Sequence, residues 1–274
     1  METITNIKNN KLLDEFHGEL LGGKIQVSSV RGYPSHPEKK QQDAVGSIVK
    51  NENIFLNIVA DGVGSNYQSE KASAKIVKDL IKWFEKLDNE VLENIDALIV
   101  ELQKEIYAIN KDIYLKYNGQ ALTTFALALT VNDKTVIANV GDSTAYTYTG
   151  DEDYPLFQLT PIDSWANSIY YEDVRYSIYN GGVSAYLGDR YEDKIHIKII
   201  DNDNQRIILS TDGVTDLISE ENFISYFINN TDAKDIVNKA LSNPDVEYLD
   251  KTEDNISAIT IDLPKNKTKT KKII

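Results

Sequence analysis

The 274-residue chain has 41% hydrophobic and 26% charged side chains, ordinary proportions for a globular protein long enough to bury a sizeable core. Its formal net charge of −14 argues against broad nucleic-acid binding, and the absence of cysteine excludes disulfides, thiolate metal sites and a cysteine nucleophile. No apolar run approaches the roughly 18 residues of a bilayer span, and the opening stretch 1–16 is too polar for a signal peptide, so the expectation is a cytoplasmic monomer with no membrane or nucleic-acid partner.

In chain order, apolar runs at 24–30, 44–49 and 54–60 read as strands. Two helical patterns follow: Ala72, Ile76, Leu80, Trp83 and Leu87, then Leu98, Leu102, Ile106, Ile109 and Ile113, each repeating at three- and four-residue spacing. Strands resume at 122–131, 135–140, 144–149, 156–160, 194–199 and 206–211, two shorter helices fall at 219–228 and 233–241, and a last strand occupies 256–263. Two long helices in succession, rather than one after each strand, favour α+β over a doubly wound parallel sheet. No repeat or linker divides the chain, so residues 1–264 form one expected domain. Residues 265–274 carry five lysines and no core pattern; they read as a flexible solvated tail, with binding to acidic partners as the alternative.

Two local patterns resemble ligand loops and are rejected. Gly18 through Lys24 approaches a phosphate-binding loop, but Ile25 stands where Ser or Thr is needed and a strand follows instead of a helix. Asp201-Asn202-Asp203 resembles the start of a calcium loop, but Arg206 occupies the position that requires glycine, and the segment reads as a hairpin turn.

The informative feature is where aspartates fall. The strand 54–60 runs directly into Asp61-Gly62, the strand 135–140 into Gly141-Asp142, and the strand 206–211 into Asp212-Gly213. Asp43 and Asp254 instead lie just before strands. In antiparallel pairing the start of one strand lies beside the end of its neighbour, and a hairpin around 50–53 sets Asp43 opposite Asp61. Asp43, Asp61, Asp142, Asp212 and Asp254 are thereby permitted to gather at one edge, where their repulsion calls for hard divalent cations such as Mg²⁺ or Mn²⁺. The glycines after Asp61 and Asp212 are expected to allow a tight turn that brings a carbonyl toward an ion. Taken singly, each Asp-Gly is also plain turn chemistry.

Gln42-Asp43-Ala44, Val59-Ala60-Asp61-Gly62-Val63-Gly64-Ser65 and Ala138-Asn139-Val140-Gly141-Asp142-Ser143 resemble motifs of the type 2C, metal-dependent protein serine/threonine phosphatases, as do the segment 209–216 around Asp212 and Asp254-Asn255-Ile256-Ser257. Thr123-Thr124, Leu159-Thr160 and Leu187-Gly188 also fall at characteristic family positions, and the run from Arg31-Gly32 to His36 and Gln42-Asp43 is similar to a bacterial branch. The resemblance spans about 24–263 in family order.

It implies a four-layer α/β/β/α sandwich of two antiparallel sheets flanked by helix pairs. It also implies that Asp61 bridges two Mn²⁺ or Mg²⁺ ions, that Asp212 and Asp254 complete one site, and that the Gly62 carbonyl serves the other. Asp142, with Asp212, matches a third, weaker site. Asp43 and Gln42 would act through water, and Asn255 would support Asp254. The implied reaction is hydrolysis of phosphoserine or phosphothreonine in proteins, substrates of a serine/threonine kinase, by a metal-bridged hydroxide without a phospho-enzyme intermediate.

Three departures bear on that implication. Gln42 stands where many members have Glu, Val63 where some have a proton-donating His, and Glu38 where the phosphate-binding Arg usually lies. Arg31 and His36 are the candidates for that last role, while His17 and His196 read as structural or solvated. The tyrosine-rich stretch 161–191, with Tyr170, Tyr171, Tyr176, Tyr179 and Tyr186, matches the variable flap; its tyrosines either contact substrate or pack the flap. The rival reading is a non-catalytic phosphoprotein-binding module, and retention of the principal aspartates counts against it.

Overall fold

Helix, sheet, sheet and helix stack in four layers: the grouped order of elements predicts α+β, and the family resemblance implies the four layers. The structure, a computed structural model, describes residues 1–33, 40–64, 66–149, 155–164, 182–190, 195–203, 205–242, 245 and 254–264. His36 and Glu38, Ser65, the tyrosines 170, 171, 176 and 179, and the tail 265–274 lie outside the described residues.

The chain opens with β1 (Glu2–Thr5), β2 (Ile7–Lys8), β3 (Lys11–Leu12), β4 (Glu15–Leu20), β5 (Ile25–Val30), β6 (Ala44–Asn51) and β7 (Ile54–Ala60). Helices α1 (Ser69–Lys86), α2 (Asn89–Glu93) and α3 (Ile95–Tyr117) follow, then β8 (Phe125–Val131), β9 (Lys134–Val140), β10 (Thr144–Tyr148) and β11 (Leu156–Gln158). The remainder is β12 (His196–Asp201), β13 (Arg206–Ser210), α4 (Asp212–Thr215), α5 (Glu220–Ile228), α6 (Ala233–Ser242) and β14 (Ile256–Asp262). One antiparallel sheet has the order β1-β6-β7-β8-β9-β12 and the other β11-β10-β13-β14-β5-β4.

Strand alternation assigns side chains to the layers. On β8, Phe125, Leu127 and Leu129 join the core under α1 and α3, while Ala126 and Ala128 face the second sheet. That inner core is completed by Val45, Phe55, Ile137, Ile207 and Ile259. A third core packs Ile208, Ala258 and Val30 against Phe223, Phe227, Ile236 and Val237 of α5 and α6. The Asn94 side chain caps α3 by accepting the Asp96 and Ala97 backbone N–H groups, and Asn118, in the left-handed region at φ 53°, ends it.

Three expectations are corrected. The strands β1 and β4 are absent from the sequence reading because they lie at sheet edges, half exposed and without an apolar run. The strand expected from residue 122 starts at Phe125, and just before it Thr123 forms isolated bridges with Gly62 and Leu187. Asp201-Asn202-Asp203 does not open a hairpin turn: β12 pairs with β9 and β13 with β10, so successive strands belong to different sheets. Asn202 is fully buried there because its side chain accepts from the Thr135 hydroxyl and donates to the Asn132 carbonyl of the β8–β9 turn. The rejected phosphate loop is the β4–β5 connection, as expected for a segment that precedes a strand.

Helix α1 lies unusually close to β6 at Gly46, where an added Cβ would sit 2.7 Å from Val77 Cγ1 and 2.8 Å from Ile81 Cδ1. Gly46→Val overpacks this contact and should destabilise the protein by about 1–3 kcal/mol. Thermal melting should register a drop of roughly 2–4 °C per kcal/mol for a chain of this size.

Candidate metal centre

Register brings the aspartates together. Ala44 pairs with Ala60, so Asp43 and Asp61 lie side by side at the end of β6 and β7. Val140, ahead of Gly141-Asp142, pairs with Phe125 on β8, the other neighbour of β7. On the second sheet, Ser210 pairs with Ala258 and Val30 with Ile256, which puts Thr211-Asp212, Asp254-Asn255 and Arg31 at the same end. Carboxylate oxygens of Asp61, Asp142 and Asp212 all lie within 4.8 Å of one another.

The backbone around them is clamped. The Asp61 carbonyl accepts from the Thr123 hydroxyl at 2.7 Å and the Thr124 N–H at 2.9 Å. Thr124 Oγ1 in turn lies 2.8 Å from the Ser143 hydroxyl beside Asp142. Bonds cross from sheet to sheet beside the aspartates: Thr211 Oγ1 donates to Asp43 Oδ2 at 3.0 Å, and the Gln42 N–H donates to Asn255 Oδ1 at 2.7 Å. The Asn255 N–H donates to Asp254 Oδ1 at 2.9 Å. Asn255 therefore braces the Gln42-Asp43 segment with its side chain and Asp254 with its backbone.

The glycine expectation is revised. Neither Gly62 nor Gly213 adopts a positive φ. Each is required by close approach: an added Cβ would lie 2.7 Å from the Ser69 carbonyl oxygen at Gly62 and 2.0 Å from the Asn255 carbonyl oxygen at Gly213. Gly141 alone of the three takes φ 94°, and an added Cβ would meet Thr124 Cγ2 at 2.5 Å.

Burial first, and then neighbouring carboxylates, push Asp61 and Asp212 well above the ordinary aspartate range. The chief neighbour of Asp61 is Asp212, and that of Asp212 is Asp254. Burial and Asp254 raise Asp43 to about 7, against hydrogen bonds from Ser257 and Thr211. Burial raises Asp142 to about 6, with Asp216 and Asp254 adding to it and backbone N–H bonds opposing it. One buried oxygen on each of Asp43, Asp142 and Asp212 accepts no hydrogen bond among the described residues. All-oxygen donors, mutual repulsion and open acceptor positions fit a hard divalent cation.

Arg31 reaches the site end of β5, and its Nη1 lies 3.6 Å from Asp14 Oδ2. The Gln42 carbonyl accepts from the Gly62 N–H and the Ser73 hydroxyl, which ties it to α1.

Asp163 escapes the sequence reading. Its N–H donates to the Gly141 carbonyl at 2.9 Å, its Oδ2 accepts the Gly141 N–H at 3.1 Å, and its carbonyl accepts the Ser184 N–H. Its Oδ1 lies 2.8 Å from His196 Nε2. His196 is thus structural, and Asp163 ties the residue before Asp142 to β12 and to the 182–190 segment. No strand leads into Asp163, so the signal that marked the other aspartates is missing.

For Asp43 and Asp142 the folded-state values exceed the unfolded one, so this contribution favours folding more as pH falls and is lost as pH rises through about 6 to 7. Metal-free protein should melt higher at about pH 5.5 than this cluster allows at about pH 8, and Mn²⁺ should raise Tm most at the higher pH. Melting with chelator and with Mn²⁺ at both pH values checks this; an equal metal response would refute it. Asp163→Ala should cost about 1–3 kcal/mol and reduce the Mn²⁺-induced Tm rise, because Gly141 loses its side-chain acceptor.

The model of the family described as Protein phosphatase 2C matches residues 35–243. The serine/threonine phosphatase stp of Listeria monocytogenes serotype 4b is 34% identical over 126 residues, 43% of this chain and 47% of that protein. The chain thus matches about half the length of this relative. Among solved structures, the serine/threonine phosphatase Stp1 from Staphylococcus aureus superposes with a TM-score of 0.68 at 22% identity, covering 88% of this chain and 94% of that one. The catalytic domain of the phosphatase PstP in complex with 2 manganese ions gives a TM-score of 0.63 at 18% identity, covering 87% of this chain and 97% of that one. The order of the strands, the aspartates at their ends and the family match agree: the chain belongs to the protein phosphatase 2C family.

Proposed function

We propose that the chain hydrolyses phosphoserine and phosphothreonine in proteins, using two Mn²⁺ or Mg²⁺ ions with a third, weaker site at Asp142. The observation that carries this reading is the convergence of Asp61, Asp142 and Asp212 from three separate strand ends, with oxygens within 4.8 Å. Family membership and the manganese in a structural neighbour support it. Asp61 would be shared between two ions, Asp212 and Asp254 would complete one site, and the Gly62 carbonyl would serve the other. Bound there, such cations lower the pKa of water and neutralise phosphoryl oxygens.

The chain's own groups position and discriminate. Thr211 holds Asp43 in place by donating to it, and Asn255 holds Gln42 and Asp254. Arg31 is the described candidate for phosphate: it is half-buried at the site end of β5, and its 3.6 Å contact with the exposed Asp14 is long, of the kind a dianion displaces at little cost. The chain has no cysteine, so no thiolate nucleophile competes with direct attack by water.

Hydrolysis of a phosphothreonine peptide should require Mn²⁺ or Mg²⁺, and Asp212→Ala should lower kcat/KM by about a hundredfold or more. Arg31→Ala should raise KM more than it lowers kcat. Wild type no faster than Asp212→Ala across metals and substrates would leave the non-catalytic binding module standing instead.

A further inference from the structure

In a chain of net charge −14, and apart from the lysine-rich stretch 265–274, five lysines gather around one depression. Lys71, Lys75, Lys78 and Lys82 follow each other at helical spacing along the outer face of α1, and with Lys116 near the end of α3 they line a depression of about 470 Å³. The β2–β3 turn closes one side through Asn10, and Lys116 and Tyr117 close the other.

Asp79 is the single carboxylate in this lining. It and Asp112 pair with Lys75, and Asp79 lies 3.9 Å from Lys82. The other ammonium groups meet neutral acceptors or a ring: Lys71 donates to Gln68 Oε1 at 2.9 Å, Lys78 to Asn10 Oδ1 at 2.6 Å, and Lys116 stands 5.2 Å over the Tyr117 ring. Lys71, Lys78, Lys82 and Lys116 are exposed. A lysine-bearing helix face is often only a solvated surface, but this one is concave, walled on both sides and short of counter-charge.

Its position matters equally. The Ser69 carbonyl at the start of α1 abuts Gly62, and Lys71 lies one half-turn further on. Lys71 thus points from the opposite, outer face of α1, and the lysine row begins at the helix end nearer the aspartate cluster and leads away from it. From Lys71 to Lys82 it spans about 16 Å of helix, the length of about five residues of extended chain.

We propose that this trough docks an acidic segment of the phosphoprotein substrate, lying on one side of the phosphorylated residue while that residue occupies the metal centre. The phosphorylated residue's place rests on the proposed activity; the docking of acidic chain rests on the trough alone. The surrounding negative field repels acidic chain elsewhere on the surface, so the trough both attracts and orients it.

The test uses Lys71→Gln/Lys78→Gln/Lys82→Gln, which leaves the Lys75 ion pairs intact and touches no residue of the metal centre. With Mn²⁺, wild type should show a lower KM for a phosphothreonine peptide with acidic flanks than for one with neutral flanks. The triple variant should raise the acidic-peptide KM about tenfold and erase that preference, with p-nitrophenyl phosphate turnover unchanged. In chelator, a fluorescent unphosphorylated acidic peptide should bind wild type, and binding should vanish in the variant and at about 0.5 M salt. No turnover of p-nitrophenyl phosphate would sink the activity while the binding measurement still decides the trough. Wild type that binds acidic and neutral peptides alike, a variant that keeps the preference, or lysine-dependent binding to phosphatidylglycerol vesicles without peptide binding would overturn the proposal.

Discussion

Five aspartates meet at one end of two packed sheets, and their mutual repulsion in a buried setting is the constraint on which the rest of the structure depends. Left to relax, carboxylates so placed would separate or protonate. The protein prevents separation by seating each one at a strand end, where the neighbouring strand's register determines its position. Asp61 and Asp142 leave the ends of β7 and β9, both bonded to β8, so β8 acts as a ruler between them. The unsatisfied energy is then available to an ion: a cation entering the site relieves repulsion that the fold has already accepted.

The cluster also straddles the two sheets, since Asp43, Asp61 and Asp142 belong to one and Asp212 and Asp254 to the other. Site geometry therefore depends on how the sheets sit against each other. Small inner residues such as Ala126, Ala128 and Ala145 bring the sheets close. The Thr211–Asp43 and Asn255–Gln42 bonds lock them at the site end, and a buried hydroxyl network extends the lock. Ser29 of β5 there meets Gln41, Asn6 and Ser257. Glycine at 62 and 213 is part of the same design, because backbone passes too near for any side chain.

What the sequence makes legible follows from this physics. An apolar run that stops at an aspartate is visible in one dimension, so β7, β9 and β13 and their aspartates can be read directly. Helices α1 and α3 are equally plain, because each buries one stripe under a sheet. Edge strands β1 and β4 leave no such trace, since solvent covers one flank and polar residues are tolerated. The passage from β12 to β13 reads like any hairpin turn until its partners are known, because turn composition reports a bend and not which sheet receives the next strand. Asp163 fails for a related reason: its role lies in bonds to Gly141 and His196, residues 22 and 33 positions away, and long-range hydrogen bonding has no local signature.

Charge layout poses a problem that the metal centre alone does not solve. A phosphoprotein approaching a chain of net charge −14 meets repulsion over most of the surface, screened only beyond about 8–10 Å at ordinary ionic strength. On the proposed activity, cations held among the aspartates would reverse the sign at the floor of the site, an effect felt only once the phosphate has entered. Attraction during approach has to come from positive charge outside the floor. The proposed docking row on α1 would supply it, beginning two residues after Ser69, whose carbonyl abuts Gly62, and running outward along the helix. Lys71, Lys78 and Lys82 of the row are exposed, and Lys71 and Lys78 meet neutral acceptors, so their field extends into solvent, where it can act on a distant acidic chain. On the two proposals together, labour would be divided: the aspartates and their ions would act on the phosphoryl group, and the α1 surface would govern which chain delivers it.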